Sequence, residues 1–197
     1  MKKITLSLIL IIGFLASSVR ADDGGMLTGD PKLACEAIIC LSTGSRPGEC
    51  QPSIQKFFSI KAKKPGDTIK ERIKFLDKCP ASNQTPEMQS LVNAIANGAG
   101  RCDTASLNVD LQRQILDGDG YPIGTGIDNN LPDYCSAYNN NIYTNFGDYL
   151  PKYVGLPERG GYWVNASDYD SALAAYNVRI AQEDAKAAAD AAAVAGF

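Results

Sequence analysis

The chain has no histidine among its 197 residues. That absence removes Ser-His-Asp and Cys-His nucleophilic machinery, because both need an imidazole to take the proton from the nucleophile. It also removes imidazole as a metal ligand. No Cys-x-x-C pair occurs, so the usual redox-exchange and paired zinc-ligand spacings are missing as well. Beyond the first 21 residues, no segment is long and apolar enough to span a bilayer. What is left for catalysis is carboxylate chemistry, and what is left for sulfur is stapling.

The N-terminus carries the one long apolar run. "MKK" is followed by "ITLSLILIIGFLASSV", densest from Leu6 to Leu15, with Val19 and Ala21 at the −3 and −1 positions of a cleavage site. This layout predicts a cleaved secretory signal peptide over residues 1–21; the competing reading is an uncleaved N-terminal anchor. No cysteine follows the run before Cys35, which argues against a lipid-modified N-terminus. Removing Lys2, Lys3 and Arg20 leaves 16 bases against 22 acids, a net charge of −6. The charge is segregated. Residues 56–78 hold eight bases and three acids, whereas residues 103–197 hold five bases and 13 acids. The basic segment reads as a solvated helix face, because Phe57, Phe58 and Phe75 sit at core spacing. No direct nucleic-acid binding is expected.

The six cysteines, Cys35, Cys40, Cys50, Cys79, Cys102 and Cys135, are separated by 4, 9, 28, 22 and 32 residues. An even number in an exported chain predicts three disulfides in an oxidising compartment, with 15 pairings open. "DPKLACEAIICLSTG" reads as a helix with Asp30 as N-cap and Gly44 past its end. On it Cys35 and Cys40 stand about 140° apart and face different neighbours. Either of them could pair with Cys50 across the turn "STGSRPGE". Cys79 and Cys102 bracket the next-but-two helix and are placed to anchor its ends.

The rest of the chain follows helix grammar, then changes texture. "PSIQKFFSI" is a short helix broken by "KKPG". "DTIKERIKFLDKCP" restarts with Asp67 as N-cap. "TPEMQSLVNAIANG" is capped by Thr85, and "SLNVDLQRQIL" continues as a fifth helix through Leu107, Leu111 and Ile115. Residues 117–133, with four glycines and two prolines, read as a long loop. A helix is expected around Tyr134–Thr144, and "KYVGLPERGGYWVN" predicts a small β-hairpin turning at Pro157–Gly160. A Ser167–Asp170 capping box opens a long, Ala-rich terminal helix that docks only through Leu173, Tyr176 and Ile180. The expected fold is mostly α. It comprises a disulfide-stapled helical domain over 22–166 with a loop-rich second half and candidate hairpin, then a C-terminal helix over 167–197.

The carboxylates suggest two chemistries. Glu36, between Cys35 and an apolar run, is the best general acid for a peptidoglycan hydrolase, but no second acid stands at a telling spacing and an ordinary helix glutamate explains it. The repeated "AYN" at 137–139 and 175–177 echoes lytic transglycosylases only over three residues. Asp117, Asp119 and Asp128 suggest a calcium loop. Against the EF-hand pattern, however, Tyr121 stands at position five and Pro122 at position six, and tight turns account for the acids. No catalytic residue, cofactor or metal is therefore assigned.

The stretch "LACEAIICLSTGSRPGECQPSIQKFFSIKAKKPGDTIKERIKFLDKCP" resembles the TrbM/KikA family of conjugal-transfer proteins. The match is strongest over Leu33–Cys50, "SIQKFFSIKAKKP" and the Cys79–Pro80 end. The resemblance implies a periplasmic, non-catalytic accessory of a plasmid type IV secretion (mating-pair formation) apparatus, working by contact with other proteins of that apparatus. It brings no established catalytic residues; a host-effect role is associated with part of the family.

Overall fold

The computed structural model describes residues 26–196; the signal segment expected over 1–21 lies outside them. Four helices build the body. α1 (Gly29–Leu41) buries Ala34, Ala37, Ile38 and Leu41, a stripe at the helical period. α2 (Gln51–Ser59) contributes Phe57, α3 (Pro65–Leu76) contributes Phe75 and Leu76, and α4 (Pro86–Gly98) contributes Leu91, Val92 and Ile95. α1 packs on α2, α3 and α4, so it is the central element of a single apolar core. α4 starts as expected, with the Thr85 hydroxyl accepting from the Met88 N–H at 3.2 Å.

Two helix starts differ from expectation. α1 begins at Gly29 with Thr28 as N-cap, so Asp30 lies inside the first turn. α3 begins at Pro65, not after Asp67. Pro65 supplies a preset φ at the first helical position and Lys64 is extended before it. "KKPG" therefore opens the helix it was expected to separate.

The larger correction concerns residues 104–133. α5 (Thr104–Asp110) is a short helix capped by the Asp103 carboxylate, which accepts from the Ser106 N–H at 3.0 Å. The chain does not continue helically through Ile115. Gln112–Leu116 forms β1, which pairs antiparallel with β2 (Pro122–Ile127), Gln112 opposite Ile127 and Leu116 opposite Pro122. The expected loop is thus half of a hairpin. Its turn is held by the Asp117 carboxylate, which accepts from the N–H groups of Asp119 (3.0 Å) and Tyr121 (2.8 Å). Gly126 is required on β2, because a Cβ there would lie 2.6 Å from the Pro157 carbonyl oxygen.

α6 (Asp133–Asn139) is shorter than expected; the Thr144 hydroxyl donates back to the Tyr138 carbonyl at 3.0 Å and closes the following turn. β3 (Pro151–Val154) and β4 (Tyr162–Asn165) form the second antiparallel hairpin, turning through Pro157–Arg159 and Gly160 as the sequence predicts. α7 (Tyr169–Ala195) is the long terminal helix. Its expected capping box does not form: a 3-10 turn over Ala166–Asp168 precedes it, and Ser171 donates to the Asp168 carbonyl at 2.9 Å. Only its first half docks. Tyr176 is buried, Leu173 and Ile180 are half-buried, and residues 181–196 are all exposed.

Three disulfides join these parts. Cys35–Cys79 ties α1 to the end of α3 (Cα–Cα 4.9 Å), and Cys40–Cys50 closes the turn before α2 (5.8 Å). Cys102–Cys135 links the approach to α5 with α6 (5.3 Å). Of the two open partners for Cys50, Cys40 is the one used. Cys35 and Cys40 do face different neighbours, because their angular separation on α1 gives them no common side. Among the described residues, no helix is long and apolar enough to cross a membrane.

Candidate functional site

Three surfaces follow from the sequence: the basic 56–78 segment, the aromatic 134–163 region and the terminal helix. The structure brings only part of them together.

On the basic segment, Phe57 and Phe75 are buried and Phe58 packs beside them. Arg72 is half-buried, its guanidinium 4.7 Å from the Phe57 ring centre and 5.4 Å from that of Phe58. Burial, and then repulsion from Arg101, lowers its pKa from the ordinary arginine value. Arg72 is therefore a packing cation that shields the core. Asp30 gathers Lys56 at 3.4 Å and Lys78 in a closer hydrogen bond. The Lys78 contact, partly offset by desolvation and aided by Lys56, holds the Asp30 carboxyl below its usual range. Lys70 and Lys74 pair with Asp67 (3.6 Å) and Glu71 (2.6 Å) on their own helix. Lys61, Lys63 and Lys64, in the α2–α3 link, are exposed and have no carboxylate within 4 Å among the described residues.

The aromatic region contributes to a part-open cleft of mixed chemistry, about 140 Å³ in volume. It lies where the α1–α2 turn (Gly44, Arg46), the α4–α5 junction (Gly100, Cys102, Asp103) and the segment after α6 (Phe146, Tyr149, Pro151) converge. Asn145 pairs with this turn by donating its N–H to the Ser42 carbonyl at 2.8 Å, which fixes one wall. Gly44 is needed because Tyr149 lies directly on it and a Cβ would overlap the ring.

Tyr138 is the floor. Its hydroxyl donates to the Leu41 carbonyl, its ring meets Phe146 edge-on at 4.9 Å, and burial raises the phenol pKa well above its ordinary value. It stays protonated and structural. The Asp103 carboxylate is consumed in capping α5, through the Ser106 N–H and hydroxyl. Asn165 accepts from Thr104 at 3.3 Å. The Asn139 amide nitrogen is buried without an acceptor, and the exposed Arg46 at the rim faces the Tyr138 hydroxyl, where its charge partly opposes the rise of the phenol pKa. Such a cleft can seat one side-chain-sized group. It holds no nucleophile beside a base.

The other sequence candidates stand elsewhere. Glu36 is a partly exposed α1 residue, 3.6 Å from Lys32 one turn earlier, and does not line the cleft. Asp117 holds the hairpin turn, and Asp128 accepts from Asn130 at 2.9 Å and faces Arg113 at 3.6 Å. These contacts account for the Asp117 and Asp128 carboxylates, whereas Asp119 joins the turn through its N–H. The described residues contain no cluster of three or more Cys, Asp or Glu arranged to hold a metal. The first "AYN" puts Tyr138 and Asn139 in the cleft, whereas the second puts Tyr176 beneath Gly155. Arg46 and Gly44 were missed as site residues, since "STGSRPGE" reads simply as a turn. A lone base in a Gly-Pro turn was the available signal.

The family model described as TrbM matches residues 26–177, well over half of the chain. No curated protein matches, and no solved structure does.

Proposed function

The chain belongs to the TrbM family of conjugal-transfer proteins, and from that premise we propose that it is a non-catalytic, exported component of a plasmid mating-pair-formation apparatus. It works in the periplasm through contacts with other proteins of the apparatus. The family match carries the reading. The six cysteines support it: all are paired, and such bridges persist in oxidising compartments. In this reading residues 1–21 are a removed signal peptide, residues 22–166 form the stapled domain, and residues 167–197 are an appended helix. The contact surfaces are the cleft rim around Arg46 and Tyr149, the basic link Lys61–Lys64, and the exposed half of α7.

Mating assays test the proposal. Deletion of residues 183–197, or reversal of Lys61, Lys63 and Lys64 to Glu, should lower DNA transfer while export and folding persist. Unchanged transfer in both variants would remove those surfaces from the account. A zymogram of the oxidised protein addresses wall hydrolysis. No clearing is expected, and a lysis zone lost in Glu36→Gln would replace the contact reading with a hydrolase.

A further inference from the structure

The two charge excesses of this chain lie on parts of the molecule that do not neutralise each other. α2 and α3, which carry the basic segment, pack on α1 and with α4. α7 packs on β3, β4 and the turn before it. Within the basic segment the helix lysines are consumed locally, by Asp30, Asp67 and Glu71. Lys61, Lys63 and Lys64 are not. They occupy one short exposed link, just ahead of the α3 N-terminus, whose partial positive charge adds to theirs.

The second half holds the matching groups. Arg159 and Arg179 are taken by Glu183 and Asp184, and Arg113 by Asp128 and Glu158. Lys152 lies over the Tyr169 ring, 5.1 Å from its centre. Asp148, Asp168 and Asp170 are exposed and have no base within 4 Å among the described residues. Asp148 sits in the 3-10 turn Gly147–Tyr149, and Asp168 in the turn Ala166–Asp168. These two turns pack together, so the three carboxylates share one end of the second half.

We propose that the protein associates with a second copy of itself head to tail, the Lys61–Lys64 link of one copy meeting the Asp148–Asp168–Asp170 end of the next. The occupant is a copy of this chain because both complementary surfaces are carried on it and neither is satisfied within it. Two unlike surfaces make a heterologous contact, so the assembly grows into a ring or an open filament rather than stopping at a symmetric dimer. Because the contact is between exposed charges, it weakens with salt, as the screening length falls below about 10 Å.

Sedimentation velocity on the oxidised protein tests this. At about 20 mM salt the sedimentation coefficient should rise with protein concentration, and at about 300 mM the association should be at least tenfold weaker. K61E/K63E/K64E and D148K/D168K/D170K should each be monomeric, and an equimolar mixture should associate again, since every contact in it is charge-matched. Milder D148N/D168N should weaken association without placing a base at the start of α7. Intact mass and circular dichroism verify three bridges and native helix in each variant. A wild-type protein that stays monomeric at low salt overturns the proposal. So does association that survives the lysine reversal, a mixture that stays monomeric, or wild-type binding to anionic vesicles in place of self-association. The lysine reversal is shared with the mating assay, but D148K/D168K/D170K and the equimolar mixture read self-association alone, so failure here is distinguishable from failure of the contact reading.

Discussion

The helical body and the second half of this molecule are held together by different forces. Of the residues in the apolar core cluster, only Cys135, Tyr138 and Trp163 lie beyond residue 110. The body is a conventional packed core with two internal disulfides. The second half has little to bury and uses the polar tips of its aromatic residues as bolts to backbone. Tyr153 donates to the Ile127 carbonyl at 2.6 Å, and Trp163 donates to the Asp128 carbonyl at 3.0 Å. Both bonds pin the first hairpin to the second. Asn108 grips the Trp163 backbone with two bonds of 2.8 Å, and the Tyr176 hydroxyl accepts from the Leu156 N–H at 3.1 Å. A two-stranded hairpin is marginal by itself; these five bonds let two hairpins share one footing. Apolar burial scales with area, whereas each of these bonds contributes about 1 kcal/mol and depends on geometry. The second half should therefore open first.

The largest test of this contrast is removal of the Cys35–Cys79 bridge. Its ends are 44 residues apart, so Cys35→Ala with Cys79→Ala should cost about 4 kcal/mol, read as a lowered denaturation midpoint of the body. A loss felt only in the second half would break the comparison. Next comes Trp163→Phe, which keeps a ring but deletes the bond to Asp128. A cost of about 1–3 kcal/mol is expected, with faster hydrogen exchange across both hairpins and unchanged protection of α1 and α4. Equal acceleration in α1 would show that the halves open together.

A smaller effect lies in the alkaline range. Burial, aided by the nearby Glu158 carboxylate, pushes the Tyr153 pKa up to about 12 from an ordinary value near 10. A raised folded-state pKa contributes stability that is complete below about pH 10 and lost as pH rises through 12. Alkaline loosening should begin in the hairpins over that window, and Tyr153→Phe should flatten the pH dependence; tyrosinate absorbance at 295 nm follows it. The smallest effect is expected for Asp184→Asn. Its ion pair with Arg159 (2.7 Å) is exposed and screened by solvent, so the denaturation midpoint should barely move. The change should be confined to exchange in the outer half of α7.

These contrasts map onto what the sequence displays. Where helices bury one apolar face, the period of Ala34, Ala37, Ile38 and Leu41, or of Leu91, Val92 and Ile95, is visible along the chain, and Thr85 marks a start unaided. The hairpin from Gln112 to Ile127 was not visible. Leu107, Leu111 and Ile115 keep a four-residue spacing across a helix-to-strand change, and Gly-rich text hid a strand whose Gly126 is required by a carbonyl from another turn. The cleft was half legible: its aromatic wall lies in one Tyr- and Asn-rich segment. Arg46 and Gly44 enter it only because Asn145 pairs with the chain after α1.

Composition and local pattern decided the export-compatible chemistry of this protein, its lack of imidazole catalysis, its helical majority and its supply of sulfur for three bridges, because these depend on residue type and near neighbours. The tertiary structure decided which cysteines meet, how the two hairpins lean on each other and which lysines and aspartates are left without a partner. Those outcomes depend on contacts between residues tens of positions apart, whose geometry no local preference encodes.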